Sequence, residues 1–300
     1  MKFELRGCGT ALVTPFDERG KIDFAALESL VNWQIAEGID FLATCTPEGE
    51  SPALSGDERK AVTAHVVKIT NGRVPVVAGA GGNHTAKSVF WARDAVAAGA
   101  SAILSVTPSY NLPSPEGLFR HFTAISDSTR LPVILYNVPT RTGEDLDSET
   151  IVRLAQLPRV VGIADGSTNF RRLARLVPRL PSDFAVYSAD DVTALAGIGL
   201  GMKGLLSIAA NEIPEPIAQM VHAALDGRNE EARAIYQKYF PLIDVNHCER
   251  SPGPMKAALA MMGRCGETLR LPLAPVRDES RKRIEKVLRS LKLAGRGARG

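Results

Sequence analysis

The chain of 300 residues lacks the features that mark several large classes of protein. It has only four cysteines, Cys8, Cys45, Cys248 and Cys265, with no CxxC pair, so neither a disulfide framework nor a cysteine metal site is predicted. No apolar run approaches the roughly 20 residues that a membrane helix needs, and the N-terminus lacks the apolar segment of a secretory signal. We therefore expect a cytoplasmic protein with no membrane partner.

Charge and histidine are also too sparse to indicate nucleic acid or a metal. The net charge is +3, and much of the positive excess lies in residues 281–299, which is typical of a solvated helix face. The five histidines, which are His65, His84, His121, His222 and His247, are scattered rather than clustered at strand ends. Residues 79–82 lack the GxGxxG spacing of a dinucleotide site. The sequence thus predicts no metal, no cofactor and no nucleic-acid partner.

Strand-like apolar runs alternate with helical patterns as far as Leu225. The runs end near Val13, Cys45, Ala80, Val106, Asn137, Ala164, Ser188 and Ser207. Such alternation predicts parallel strands with right-handed crossovers, and eight pairs predict an α/β fold, a (β/α)8 TIM barrel over residues 1–225. Three further helical patterns, at Asn229–Leu242, Pro254–Met262 and Asp278–Leu293, predict a three-helix C-terminal appendage over residues 226–300.

Four segments carry a resemblance to a known family. They read GTALVTPF at residues 9–16, VTPSYN at 106–111, LYNVPTRTG at 135–143 and VVGIADGS at 160–167. With them the sequence resembles the dihydrodipicolinate synthase and N-acetylneuraminate lyase family over nearly its whole length. The resemblance implies a lyase barrel in which a lysine amine forms a Schiff base with pyruvate. It also implies a homo-oligomer, a dimer or a homotetramer built as a dimer of dimers.

Ala164 occupies the position of the family's Schiff-base lysine. Alanine has no nucleophile, so covalent addition to pyruvate is predicted to be lost. The neighbouring Asp165 is predicted to line the site, because active sites of such barrels lie at the carboxyl ends of the strands.

Two tyrosines and an arginine are the site residues that the resemblance implies most directly. Tyr136 matches the tyrosine that contacts the substrate keto group and relays protons, and Tyr110 matches the one that reaches into the neighbouring subunit. Arg141 matches the arginine near substrate carboxylates, for which its rigid fork of donors is suited. Ser109 stands where the family usually has a second tyrosine.

The loop after the second strand departs furthest from the family pattern. It reads Thr46-Pro47-Glu48-Gly49-Glu50, where relatives usually have a hydroxyl-rich Gly-Thr-Thr-Gly-Glu or Gly-Ser-Thr-Gly-Glu. Pro47 removes a hydroxyl and an amide donor. Glu48 places a carboxylate where an acidic substrate would put its own, and like charges repel. Weak pyruvate binding is therefore expected even apart from the missing lysine.

His247 and Ile208 complete the predicted site. His247 lies in a segment, Asn246–Ser251, that differs from the family pattern, and Ile208 follows the eighth strand. Together with Glu48 or Asp165, His247 has the chemistry of a base and its orienting partner. A lone histidine is also an ordinary surface residue, so its residue type alone does not choose between these roles.

Three explanations of these departures remain open at the level of sequence. The chain is a silent small-molecule-binding paralogue, an active-site knockout of a pyruvate-dependent aldolase, or a scaffold with a mouth rebuilt for general acid/base chemistry, by divergence or by engineering. Replacing lysine and tyrosine by Ala164 and Ser109 removes volume. We therefore expect an enlarged pocket between Tyr136, Glu48, Ala164 and His247 that accepts a larger, less anionic molecule.

Overall fold

Eight short apolar segments form the parallel strands of a closed barrel in the computed structural model, which describes residues 5–295. The strands are β1 (Gly7–Ala11), β2 (Phe41–Thr44), β3 (Val76–Gly79), β4 (Ala102–Val106), β5 (Val133–Asn137), β6 (Val160–Asp165), β7 (Ala185–Ser188) and β8 (Gly204–Ser207). Each strand pairs with the next, and β8 closes the barrel on β1. The predicted (β/α)8 TIM barrel is confirmed. The predicted outer limits at residues 1 and 300 lie outside the described residues.

Helices follow the strands and cover the outside of the barrel. In the described part of the chain they are α1 (Phe24–Ala36), α2 (Gly56–Thr70), α3 (Thr85–Ala97), α4 (Pro115–Asp127), α5 (Pro139–Thr142), α6 (Ser148–Leu154), α7 (Phe170–Leu176), α8 (Ala194–Gly199), α9 (Pro214–Leu225), α10 (Asn229–Val245), α11 (Gly253–Met261) and α12 (Asp278–Ser290). At the start of α2 the Ser55 hydroxyl accepts a bond from the amide of Glu58, whose carboxylate accepts one from the amide of Ser55. This capping box fixes the beginning of the helix.

The last three helices share the core of the barrel. Leu242 from α10, Ala258 from α11 and Leu288 from α12 lie in the same buried cluster as Leu27 and Leu42. The segment after Leu225 is therefore a layer packed on the barrel rather than a body with a core of its own. No helix within residues 5–295 is long and apolar enough to span a membrane.

Ala164 faces the interior of the barrel between two large aromatic side chains. The strand register pairs it with Tyr136 of β5 and with Tyr187 of β7, and all three residues belong to the inner apolar cluster. The adjoining void measures only about 10 Å³, which is too small for an extra side chain. The layer thus alternates large and small residues, a common solution for filling a barrel.

Candidate functional site at the barrel mouth

A cavity of about 340 Å³ opens at the carboxyl ends of the strands, the face on which barrels of this class place their active sites. Its lining comes from the segments after β2, β5, β6, β7 and β8 and from the connection between α10 and α11. The residues are Glu48, Tyr136, Val138, Thr140, Arg141, Gly166, Ala189, Asp190, Asp191, Ile208, Asn246, His247, Glu249, Arg250 and Ser251. Five predicted site residues meet here, namely Tyr136, Glu48, Arg141, His247 and Ile208.

Glu48 and Arg141 form an ion pair at this cavity. Nη2 of Arg141 lies 3.1 Å from Oε1 of Glu48, whose side chain is fully buried, while the arginine side chain is 29% exposed. The same guanidinium donates to the carbonyl of Ser251 at 3.3 Å. Oε2 of Glu48 is buried and has no hydrogen-bond partner among the described residues. The arginine that the resemblance assigns to a substrate carboxylate therefore already binds a carboxylate of the chain.

The backbone of the loop after β2 holds Glu48 in this position. The amide of Glu50 donates to the carbonyl of Pro47 at 3.0 Å, and the hydroxyl of Thr14 donates to the carbonyl of Gly49 at 2.8 Å. A Cβ atom on Gly49 would lie 3.1 Å from the carbonyl oxygen of Leu12, so a larger residue would push the loop away from β1. The glycine thus permits the close approach that seats the loop.

A buried ion pair anchors the end of this loop to the C-terminal region. Nζ of Lys256 lies 2.6 Å from Oε1 of Glu50 and donates to the carbonyl of Thr268 at 2.8 Å. Both charged side chains are fully buried. The second carboxylate oxygen accepts a bond from the amide of Arg270 at 2.9 Å. Glu50 has φ of 53°, so these contacts hold a left-handed backbone two residues from Glu48.

Tyr136 and Asp191 are the other buried ionisable groups of the lining. Burial raises the pKa of Tyr136 well above its usual value, and the negative charges of Glu48 and Asp191 add to this rise while Arg141 opposes it. Tyr136 is therefore a neutral phenol near pH 7. Asp191 accepts bonds from the amides of Ile208 at 2.9 Å and Ala209 at 3.3 Å, and burial raises the pKa of this carboxyl.

Behind the cavity wall lies a second buried carboxyl group. Nδ2 of Asn246 donates to Oε2 of Glu212, whereas Oε1 of Glu212 and Oδ1 of Asn246 are buried without partners in the described chain. Burial raises the pKa of Glu212 well above its ordinary value, and the negative charge of Asp191 raises it further. When protonated, the carboxyl group of Glu212 can donate a hydrogen bond, and Oδ1 of Asn246 is an acceptor without a donor.

Ala164 does not lie in this cavity, which corrects the expectation of one enlarged pocket. It borders the small interior void instead, because Tyr136 and Tyr187 fill the layer on either side of it. Ser109 and Pro47 line a different cavity of about 720 Å³, which shares Tyr136 and Arg141 with the mouth cavity. The two predicted losses of volume, at Ala164 and Ser109, therefore do not open a common space.

Asp165 lies outside the lining of the mouth cavity, and Tyr110 lies in an exposed loop. The Asp165 side chain is fully buried, lies 2.6 Å from the guanidinium of Arg172, and accepts bonds from Asn137 and Ser167. These contacts tie the end of β6 to neighbouring segments and leave the residue outside the cavity lining. Tyr110 is 88% exposed, on a backbone with φ of 71°.

Sequence reasoning missed Asp191, Asn246 and Ser251 as lining residues. Asp191 was within reach of the strand-end rule, because it comes three residues after Ser188, the last residue of β7. Asn246 and Ser251 follow a helix, not a barrel strand, so strand ends gave no signal for them. Within residues 5–295 no group of three or more His, Cys, Asp or Glu residues is arranged to hold a metal ion.

Comparison with known proteins places these features in a family context. The sequence model of the Dihydrodipicolinate synthetase family matches residues 4–291. The 4-hydroxy-tetrahydrodipicolinate synthase of Koribacter versatilis is 45% identical over 285 residues, which is 95% of each chain. The protein of the same name from Acidobacterium capsulatum is 46% identical over 292 residues, 97% of each chain. The crystal structure of dihydrodipicolinate synthase from Aquifex aeolicus superposes with a TM-score of 0.95 at 35% identity, covering 97% of this chain and 99% of that one.

Proposed function

The chain belongs to the dihydrodipicolinate synthetase family, and on that premise we propose that its barrel mouth binds a small molecule non-covalently and forms no imine with pyruvate. The observation that carries this proposal is the ion pair between Glu48 and Arg141. The lyase scaffold is retained, whereas Ala164 stands at the position of the Schiff-base lysine and Arg141 is paired with Glu48.

The nucleophile is the first missing element. Imine formation requires an accessible amine, and the mouth cavity has no lysine in its lining among the described residues. Lys87 lines the neighbouring cavity, and Lys256 is fully buried and paired with Glu50. Among the described residues, Lys87 is thus the one lysine that lines either cavity, and the mouth cavity itself has none.

A free arginine to bind the substrate carboxylate is the second missing element. An arginine recognises a carboxylate through a fork of parallel donors, and Arg141 already directs Nη2 at Glu48 and both terminal nitrogens at the carbonyl of Ser251. A pyruvate carboxylate that binds both terminal nitrogens of Arg141 would have to compete with Glu48 and with the carbonyl of Ser251. A knockout that replaced only the lysine would have left this arginine free, so the pair favours a diverged or rebuilt pocket.

Borohydride trapping with pyruvate tests the proposal. The chain is incubated with pyruvate and sodium borohydride and analysed by intact mass, with the 4-hydroxy-tetrahydrodipicolinate synthase of Koribacter versatilis treated in parallel as a positive control. We expect a reduced adduct on the control and none on this chain. An adduct on any lysine of this chain would overturn the proposal.

General acid/base catalysis at the same mouth is a second candidate function. Glu48 and His247 line one cavity, with the carboxylate buried and the imidazole at the exposed rim. Tyr136 lines the same cavity and, as a neutral phenol, has a proton to donate. If turnover of a bound molecule is found, Glu48→Gln and His247→Ala should each lower kcat. Binding without turnover would leave the silent paralogue as the function.

We also propose that a second copy of the chain covers the loop around Tyr110, as the resemblance implies. Tyr110 and Leu112 are 88% and 59% exposed, a large apolar exposure for two positions of one loop. Light scattering at micromolar concentration should give a dimer or tetramer, and Tyr110→Asp should shift the mass toward the monomer. A monomeric mass for the unmodified chain would contradict this assembly. The cytoplasmic location stays a prediction.

A further inference from the structure

We infer that the small molecule bound at the barrel mouth carries a protonated nitrogen, such as an amidinium or ammonium group, that donates hydrogen bonds to Glu48. This inference rests on the proposed non-covalent binding and names its ligand class. It is carried by three observations: an unsatisfied carboxylate oxygen, the engagement of the donors around it, and the shape and lining of the cavity.

The carboxylate oxygen is the first observation. Glu48 is fully buried and lines the cavity, and Arg141 satisfies only Oε1. Oε2 has no partner in the described residues. An ionised carboxylate is solely an acceptor, and a buried acceptor without a donor is destabilising. Because Oε2 has no exposed surface in this structure, a ligand donor reaches it when a side chain of the lining shifts, and it then relieves this deficit. A ligand carboxylate brings a further acceptor and a second negative charge instead.

Two donors of the lining, the amide of Ile208 and the guanidinium of Arg141, are already engaged. The amide of Ile208, which borders the cavity, donates to Oδ2 of Asp191 at 2.9 Å. The guanidinium of Arg141 is shared between Glu48 and the carbonyl of Ser251. The remaining basic side chains of the lining, His247 and Arg250, are exposed at the rim, where solvent weakens any attraction for an anion. In the buried part of the described lining an anionic ligand therefore finds uncharged hydroxyl donors, on Tyr136 and Ser251, but no unpaired cation.

Ser251 offers a second acceptor for the protonated nitrogen of the ligand. Its hydroxyl oxygen is buried without a partner, and the residue lines the same cavity as Glu48. Its carbonyl is held by Arg141, the partner of Glu48, which places both residues around one guanidinium. A hydroxyl accepts as readily as it donates. A planar amidinium or a primary ammonium has donors enough for both residues.

The cavity also sets the size and character of the rest of the ligand. Its volume is about 340 Å³, and at roughly 30 Å³ for each water-sized group this holds about ten heavy atoms. Val138, Ala189 and Ile208 supply apolar walls beside the polar groups. A small cation with an apolar body fits this combination, which is the usual one for a small-molecule site.

An isosteric series of three compounds tests the inference. Benzamidine, benzamide and benzoate share one shape and differ in charge, so calorimetric titration of each isolates the effect of charge. We expect benzamidine to bind at least about tenfold more tightly than benzoate, a difference that one charge-assisted bond suffices to produce. Glu48→Gln should remove this advantage while benzamide binding changes little. Glu37→Gln, at the end of α1 on the opposite side of the barrel, should leave the series unchanged.

The outcomes separate this inference from the proposed function. Equal or tighter binding of benzoate, persistence of the benzamidine preference in Glu48→Gln, or failure of all three to bind would each overturn the ligand class. A pyruvate adduct in the borohydride experiment would instead overturn the proposed function. Should Glu48→Gln fail to fold, a crystal structure of the unmodified chain with benzamidine decides. It must place an amidine nitrogen within hydrogen-bond distance of Oε2.

Discussion

Nη2 of Arg141 lies 3.1 Å from Oε1 of Glu48, although 93 residues separate the two along the chain. One side chain follows β2 and the other follows β5, so only the closed barrel brings them together. The carboxylate of Glu48 neutralises the positive charge that Arg141 would otherwise present at the mouth. Beside Ala164 at the position of the Schiff-base lysine, this neutralisation of Arg141 by the chain itself is a second respect in which the site differs from the one that the family resemblance implies.

The first prediction concerns the energetic coupling of this pair. Arg141→Met leaves the buried carboxylate of Glu48 without a cation, so the free energy of unfolding should fall by about 2–3 kcal/mol, somewhat less than for a wholly buried pair because the arginine is partly exposed. The double variant Glu48→Gln/Arg141→Met should regain most of this loss. Urea unfolding of the parent, of the single variants Arg141→Met and Glu48→Gln, and of the double variant gives the coupling energy between the two residues. Strictly additive effects of the two substitutions would contradict this coupling.

The second prediction concerns restoring the lysine. Ala164→Lys places a long side chain in the layer between Tyr136 and Tyr187, beside a void of only about 10 Å³. We expect overpacking to lower the free energy of unfolding by about 1–3 kcal/mol. We also expect no full recovery of pyruvate chemistry while Arg141 remains paired with Glu48.

Ala164→Met is the matched control for this experiment, because it adds similar length without an amine. Borohydride trapping with pyruvate and thermal unfolding are measured for both variants. Equal destabilisation of the two would assign the effect to packing. Full lyase activity of Ala164→Lys alone would contradict the view that Pro47 and Glu48 also prevent the reaction.

The barrel and much of the mouth were predictable from sequence because both follow from local patterns. Alternating apolar runs fixed the order of strands and helices, and the strand-end rule brought Tyr136, Glu48 and Ile208 to one cavity. Local side-chain bonds decide where α8 begins. It begins at Ala194 rather than directly after β7, because the carboxylate of Asp190 accepts a bond from the amide of Thr193 at 2.8 Å and holds a turn there.

Pairing across the barrel was not predictable in the same way. The sequence indicated that Glu48 would repel a substrate carboxylate, but not that Arg141 would neutralise it. The register that puts Tyr136 and Tyr187 on either side of Ala164 likewise depends on three different strands. Periodicity tells which face of a strand is buried, whereas the neighbours in a layer decide whether removing a side chain leaves a space.

The third prediction is a pH dependence of stability due to Glu212. Burial and Asp191 raise the pKa of this carboxyl well above the ordinary 4.5 in the folded chain. The folded state therefore retains a proton that the unfolded state releases, so the contribution of Glu212 is most favourable below about pH 4.5 and is lost as the pH rises toward the folded pKa.

Glu212→Gln isolates this effect, because an uncharged amide has both a donor and an acceptor for Asn246 at every pH. Relative to the parent, the variant should gain in melting temperature between about pH 5 and pH 8, by roughly 2 °C for each kcal/mol of difference. Glu37→Gln serves as the control and should show no such trend. A constant difference between parent and Glu212→Gln across this range would contradict an elevated pKa at Glu212.

The last prediction concerns the buried pair that anchors the loop carrying Glu48. Lys256→Met leaves Glu50 buried with only the amide of Arg270 as a partner, so the free energy of unfolding should fall by about 3–5 kcal/mol. Lys256→Met/Glu50→Gln removes both charges and should recover part of this loss. Lys60→Met, which breaks a surface pair 3.8 Å long with Asp94, should cost less than about 1 kcal/mol and is the matched control.

Hydrogen exchange distinguishes anchoring of the loop from a general loss of stability. The amides of Gly49 and Glu50 donate to the hydroxyl of Thr46 and the carbonyl of Pro47, so their protection reports on the loop itself. In Lys256→Met we expect these amides to lose more protection than amides in β5, and benzamidine binding to weaken because Glu48 is no longer held beside Arg141. Equal loss of protection throughout the barrel, with benzamidine binding unchanged, would show that Lys256 stabilises the fold without positioning Glu48.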